Sequence, residues 1–308
     1  MNATGINRGR DAQRPRHIPA LGWWDVLMRV KDRLGRDNVS LVSAGLAMYA
    51  LLSIFPALTA AVFLYGLLGS PEQLIAQLHS FAGTMPLGVW ELFQSQLREV
   101  ASRQHGALST AAAVSGVVAI WSARSGMASL ITATNIAFGE REKRGLIMQF
   151  GLSLLFTVGA LLSFIVLLVL ALAVPLALGL FGLSDGMQTA AAVARWLLLW
   201  CFAVSALALV YRYGPSREQA RWRWLTVGSV SAATLWLVGS VLFSIYVSTF
   251  ATYQKSYGAL SGVVVLLMWF LLSSFAVVLG AQIDAESERQ TRAVRAAIQQ
   301  ESSSLSKV

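Results

Sequence analysis

The stretch from Leu108 to Phe138 constrains this chain most: 31 residues hold one ionisable side chain, Arg124, and one carboxamide, Asn135. A helix that crosses a bilayer needs about 20 apolar residues. Five further apolar runs stand beside it, at about Leu41 to Gly69, Leu146 to Leu183, Met187 to Tyr211, Trp224 to Phe250 and Ala259 to Ile283. In lipid a backbone must satisfy its own polar groups, and runs this long and continuous do so as helices rather than barrel strands. The chain is 56% hydrophobic and 13% charged, about half the charge of a soluble domain. The expectation is an all-α polytopic membrane protein with six transmembrane helices plus short amphipathic helices. The third run exceeds one span, which predicts tilt or a break near Pro175 and Gly179.

Three regions follow. Residues 1–38 form a basic N-terminal arm, 39–284 the six-helix domain with an external segment at 70–106, and 285–308 a charged, Ala- and Ser-rich tail that prolongs the last span. The arm is too long and too charged for the n-region of a cleavable signal peptide. Within it Trp23, Trp24, Val26, Leu27, Val30 and Leu34 recur at helical spacing among Arg29, Lys31, Arg33 and Arg36. Such a helix lies on an anionic lipid surface.

Arg and Lys alternate between connections, twenty on one side of the membrane and four on the other. The positive-inside rule therefore puts both termini in the cytoplasm. The net charge of +9 is then a topology signal and an attraction to anionic headgroups, with no call for nucleic acid. In the segment 70–106, Ser70-Pro71-Glu72 has the form of a helix start. Two amphipathic stretches follow it, around Leu74 to Phe81 and Val89 to Val100, suited to the outer membrane face or to an envelope protein partner. The single Cys201 excludes an intrachain disulfide.

Chemistry-bearing clusters are sparse. His17, His79 and His105 share no helical face, and the six runs contain neither Asp nor Glu. A metal site needs clustered ligands, so no cofactor or metal is expected, and carboxylate proton relays are disfavoured. Arg124 and Asn135, eleven residues apart, fall on one helical stripe. Either Arg124 points into the bundle or it snorkels to the interface beside Trp121, and snorkelling is the more common fate near helix ends. Arg212 and Asp284 gather at the same cytoplasmic end, and Asp284 or Glu286 is positioned to pair with Arg124 or Arg212. Arg124, Asn135, Arg212 and Asp284 thus form the candidate polar binding site. Ser240, Ser244, Ser248 and Thr252 recur every fourth residue with Gly228 and Ala232, a row for helix packing or for lining a path, with packing favoured. Arg195, beside Trp196, is expected to snorkel outward.

In order along the chain, Ala47-Met48-Tyr49, Phe55-Pro56, Trp121-Ser122, Asn135, Tyr211-Arg212 with Pro215, Tyr257-Gly258, Trp269 and Gly280-Ala281 resemble the YihY/BrkB family of bacterial inner-membrane proteins. Some members of that family are labelled virulence factors, and many once carried a ribonuclease BN label. The family shows a Glu after the Gly-Ala pair where this chain has Gln282. The resemblance implies a multi-pass protein of the cytoplasmic membrane and brings no settled activity. The expected function is a transporter or lipid/solute translocator of unknown cargo. The alternative is a non-transporting envelope anchor or assembly protein, and ribonuclease activity is disfavoured for want of a metal cluster or an acid and base pair.

Overall fold

Runs without polar partners for the backbone fold as helices, and a computed structural model of the chain shows seven long ones among the residues it describes. It describes residues 18–66, 94–95, 110–180, 185–217, 225–249 and 259–305. The helices are α1 (Ala20–Arg36), α2 (Val39–Gly66), α3 (Thr110–Phe138), α4 (Leu146–Leu180), α5 (Asp185–Tyr213), α6 (Leu225–Thr249) and α7 (Ala259–Leu305). No strand occurs among the described residues. Helices α2 to α7 overlie the six apolar runs, and the protein is an all-α membrane protein. Four stretches, Val39–Ala61, Leu146–Val166, Val227–Val247 and Ser261–Gln290, are long and apolar enough to cross a bilayer, and Leu197–Tyr213 is a shorter apolar one. Of the tilt or break expected in the third run, a break does not occur: α4 stays helical through Pro175 and Gly179. The segment 70–106, apart from helical Gln94 and Ser95, lies outside the described residues, as do Tyr253 and Tyr257.

Helices α2, α3 and α7 pack together at the centre. Helix α4 lies on α3 and α2, α6 on α7, and α5 on α6. Large apolar side chains such as Leu41, Leu52, Val117, Leu155, Leu198 and Leu242 point outward, while Ala47, Ala60, Ala119, Ala133, Ala232 and Ala281 are buried. That inversion is what lipid selects, because tails solvate Leu as well as a protein interior does and small residues let backbones approach. A close approach joins α6 to α7. A Cβ on Gly228 would collide with the Gly280 carbonyl and the Asp284 carboxyl, and one on Gly280 would meet Ala232 Cβ at 2.5 Å and the Tyr211 hydroxyl at 2.8 Å. The Tyr211 hydroxyl donates to Val277 O at 2.6 Å, so α5 is fixed to the same point.

One end of the bundle is charged. There α1 turns across the end and packs on α7 and α2. Two residues, Asp37 and Asn38, join α1 to α2, and Asn38 sits at φ +48°, a left-handed conformation that Asn tolerates better than most residues. Gly22, Val26 and Val30 of α1 are buried, whereas Leu21, Trp24, Leu27 and Met28 on its opposite face are exposed. The apolar stripe predicted for this helix is thus split into two.

Over-filling a close crossing costs about 1–3 kcal/mol. Gly280→Val should therefore lower thermal stability in detergent by the equivalent of about 2–3 kcal/mol. Gly159→Ala, where an added Cβ meets nothing within 4 Å, should stay within about 0.5 kcal/mol of the parent.

Candidate polar site at the charged end

The turn from α3 to α4 is assembled from polar groups that the apolar run cannot satisfy. Gly139, at φ +67°, ends α3 in the left-handed form natural to glycine, and Gly139 N and Glu140 N donate to Ile136 O and Asn135 O. The Asn135 side chain then bridges two connections. Its amide donates to Glu142 Oε2 at 2.9 Å, and its carbonyl oxygen accepts Ser216 N–H at 2.8 Å. Lys143 N donates to Ser216 Oγ at 3.2 Å. Arg144 donates to the carbonyls of Tyr213, Gly214 and Pro215 at the end of α5. Cations suit a helix C-terminus, where carbonyls lack partners. The α3–α4 and α5–α6 connections are in this way tied into one unit.

Helix α7 supplies the anions. It does not end at Ile283 but carries on, and Asp284, Glu286 and Glu288 are 1%, 3% and 6% exposed. Spacing by two residues sends Glu286 to one face and Asp284 with Glu288, four apart, to another. Glu286 receives Arg29 Nε at 3.0 Å, Arg33 Nε at 3.0 Å and Arg289 Nη1 at 2.6 Å, so it holds α1 on the bundle. Arg289 also donates to Phe138 O, the last carbonyl of α3, at 2.7 Å. Gln282 donates to Asp37 Oδ2 at 3.2 Å. On the other face Arg217 pairs with Glu288 at 3.0 Å, donates to Tyr211 O at 2.5 Å and lies 3.9 Å from the centre of the Phe138 ring. Asp284 Oδ1 accepts Gly228 N–H, in the first turn of α6, at 2.6 Å.

Arg124 stands apart from this cluster. It lies fourteen residues before the end of α3, or about 21 Å along the axis. Its Nη1 donates to Ser153 Oγ of α4 at 3.0 Å. The guanidinium lies 4.4 Å from the centre of the Phe150 ring, which also packs on Trp121 at 4.5 Å. Phe150 and Ser153 fall within the first eight residues of α4, so the side chain leans toward the charged end from the middle of its helix. Buried Ser53, Ser153 and Thr157, with Ser53 against Gly126, form a polar seam where α2, α3 and α4 meet.

Of the four candidate residues, Asn135 and Asp284 thus enter the charged end, each with a backbone partner from the α5–α6 connection or α6. Arg212 lies on the last turn of α5, 5.3 Å from the Tyr213 ring centre, and Arg124 belongs to the seam. The pairings expected for Asp284 and Glu286 give way to others: Glu286 takes Arg29, Arg33 and Arg289, and Asp284 takes Gly228 N–H. The six runs hold no Asp or Glu, but Asp284, one residue past the sixth, is buried against α6. In the row on α6, Ser240 accepts Trp269 Nε1–H at 3.2 Å and Ser244 is exposed. The Ser248 and Arg195 side chains, Thr252 and all three His lie outside the description. Arg217, which the sequence suggests as part of a basic turn toward lipid headgroups, turns inward to Glu288 and Tyr211 O instead. Glu142, Ser216 and Glu288 were missed by the sequence reading. Only the Glu142-to-Arg144 charge run next to a lone buried carboxamide hinted at them. Among the described residues no three His, Cys, Asp or Glu side chains gather to hold a metal ion.

Comparison with known proteins adds a family. The model of the family described as virulence factor BrkB matches residues 30–305. The chain is similar to the putative ribonuclease-like protein YfkH of Bacillus subtilis, 30% identical over 79% of this chain and 88% of that one. It is also similar to a UPF0761 membrane protein of Rhodospirillum centenum, 28% identical over 90% of this chain and 60% of that one. A UPF0761 membrane protein of Idiomarina loihiensis is 39% identical over 26% of this chain and 28% of its own length. No solved structure matches.

Two outcomes are expected at the charged end. Burial acts to raise the Glu142 carboxyl, but the Arg144 N–H, the Asn135 amide and the Arg144 charge outweigh it and hold the group below its ordinary value. Its ionised form therefore adds stability that is complete above the ordinary carboxylate range and lost as pH falls through the lowered value. Glu142→Gln should be less stable than the parent at neutral pH, and thermal unfolding at decreasing pH should show the gap closing. Glu286→Ala should cost about 2–3 kcal/mol, less than a fully buried pair because its arginines keep some water. Hydrogen exchange should then rise along α1 and stay low in the α6/α7 crossing.

Proposed function

This chain belongs to the virulence factor BrkB family, and we propose that it is a translocator in the bacterial inner membrane, moving an amphiphile or small solute, with both termini in the cytoplasm. The carrying observation is Arg124, a cation halfway along the 29-residue α3, held on Ser153 and the Phe150 face. A charge at that depth is costly and marks polar pathways more often than lipid-facing surfaces. The seam formed by Ser53, Ser153 and Thr157 beside it extends the polar surface along α2 and α4. A cargo with an acidic head group suits such a lining. The charged end is the cytoplasmic one on the distribution of Arg and Lys, and the exposed Leu21, Trp24, Leu27 and Met28 of α1 meet the anionic headgroups there.

We read the chain as a non-enzyme. Its buried acidic side chains at the charged end are engaged with arginines or with a backbone N–H, and the ribonuclease-like name belongs to YfkH. Purified protein in liposomes should move a fluorescent anionic phospholipid between leaflets. Arg124→Ala should slow that movement at least about tenfold, with Arg124→Lys retaining more. Equal rates for the parent and Arg124→Ala, or no movement of any lipid or solute by the parent, would remove the reading. In that case loss of phenotype on deleting 70–106 would point to the assembly-protein alternative.

A further inference from the structure

The surroundings of the buried Asp284 carboxyl at the charged end do not match a full negative charge. Its Oδ1 accepts Gly228 N–H, while its Oδ2 is buried and has no hydrogen-bond partner among the described residues. An ionised carboxylate is an acceptor with room for about four hydrogen bonds, so one N–H leaves most of its charge unanswered. The charged and titratable groups that face it are Arg217 from the α5–α6 connection, Glu288 on α7 and Tyr211 on α5. Arg217 is occupied by Glu288, Tyr211 O and the Phe138 ring. Glu288 adds negative charge, and the Tyr211 proton is committed to Val277 O. The first turn of α6 favours an anion, yet it reaches only Oδ1.

A proton on Oδ2 resolves the mismatch. The neutral acid keeps Oδ1 as acceptor for Gly228 N–H and gains a donor. The Gly280 carbonyl, one turn back on α7, and the Oδ1 edge of the Asp284 carboxyl crowd the same point beside Gly228, so a backbone carbonyl borders the carboxyl group. We propose that Asp284 is a proton-binding site, protonated when α6 and α7 are closed at Gly228 and Gly280, and that loss of this proton to water loosens the crossing. The proposal needs no cargo and stands independently of the translocator reading. It would supply the carboxylate that the apolar runs lack.

The test uses the full chain in lipid nanodiscs with 13C-labelled aspartate. Infrared spectra at neutral pH should show a protonated aspartic acid carbonyl band that fades as pH is raised and is missing from Asp284→Asn. That variant, which keeps an acceptor for Gly228 N–H and a donor in place of the acid proton, should match the parent's midpoint below the ordinary carboxylate range and exceed it at neutral pH. The parent's midpoint should fall relative to it as pH rises. Overturning results are a parent spectrum without that band at any pH above the ordinary carboxylate range, or an Asp284→Asn variant that folds but has lost tenfold or more in its folding constant. A sodium- or potassium-dependent gain in parent stability with no acid band would assign the site to a metal cation instead and also overturn the proposal. Should Asp284→Asn fail to fold, the pH titration of the band in the labelled parent decides alone.

Discussion

Glu286 is the contact on which the charged end depends. It is one carboxylate, 3% exposed, surrounded by three guanidinium groups drawn from two helices. Removed from water, it is stable only while those partners surround it, and two of them belong to α1. The N-terminal helix is thereby bound to the last one across the whole sequence. Two residues further on, Glu288 does the same for Arg217 and the α5–α6 connection. A single helical extension past the apolar run, with acids at alternate positions, thus gathers α1, α3, α5 and α6.

The bundle beyond that end is held differently. Between α6 and α7 the backbones approach through Gly228, Ala232 and Gly280, with indole donors of Trp236 and Trp269 bonded to Ser273 and Ser240. Between α2, α3 and α4 an apolar cluster of Ala60, Ala61, Ala119 and Leu161 stands beside the polar seam at Arg124. Tight small-residue packing thus lies on one side of α7, and the hydroxyl groups beside Arg124 lie at the contact of α3 with α4. Our proposed translocation path follows the second.

Much of the fold was legible because its signal is local. Six runs of apolar residues fix six helices, and a gap of Trp and Arg at helical spacing fixes α1. Asn135 stood out as the one carboxamide in its run, and it does serve as a bridge. What could not be read was which distant groups it bridges, since Glu142 and Ser216 meet it only after two connections fold onto each other. The acids of α7 misled for a related reason. Asp284 to Glu301, rich in charge and Ala, has the composition of a solvated tail, and only the placement of α1 and the α5–α6 connection covers its first turns. The partners of Arg124 were also hidden: charge counting speaks to a membrane side, whereas Ser153 and Phe150 of the neighbouring helix are what hold its guanidinium.

The central claim is that the acid row of α7 organises the charged end through specific pairs, and Arg217 with Glu288, 4% and 8% exposed, is the pair that tests it most directly. Thermal unfolding of Arg217→Glu, Glu288→Arg and the double reversal in nanodiscs measures the coupling. Each single reversal should destabilise the protein severely, and the double reversal should recover at least about half of the larger loss, the remainder being the Phe138 and Tyr211 contacts that a carboxylate cannot make. A double variant no more stable than the worse single one would contradict the account.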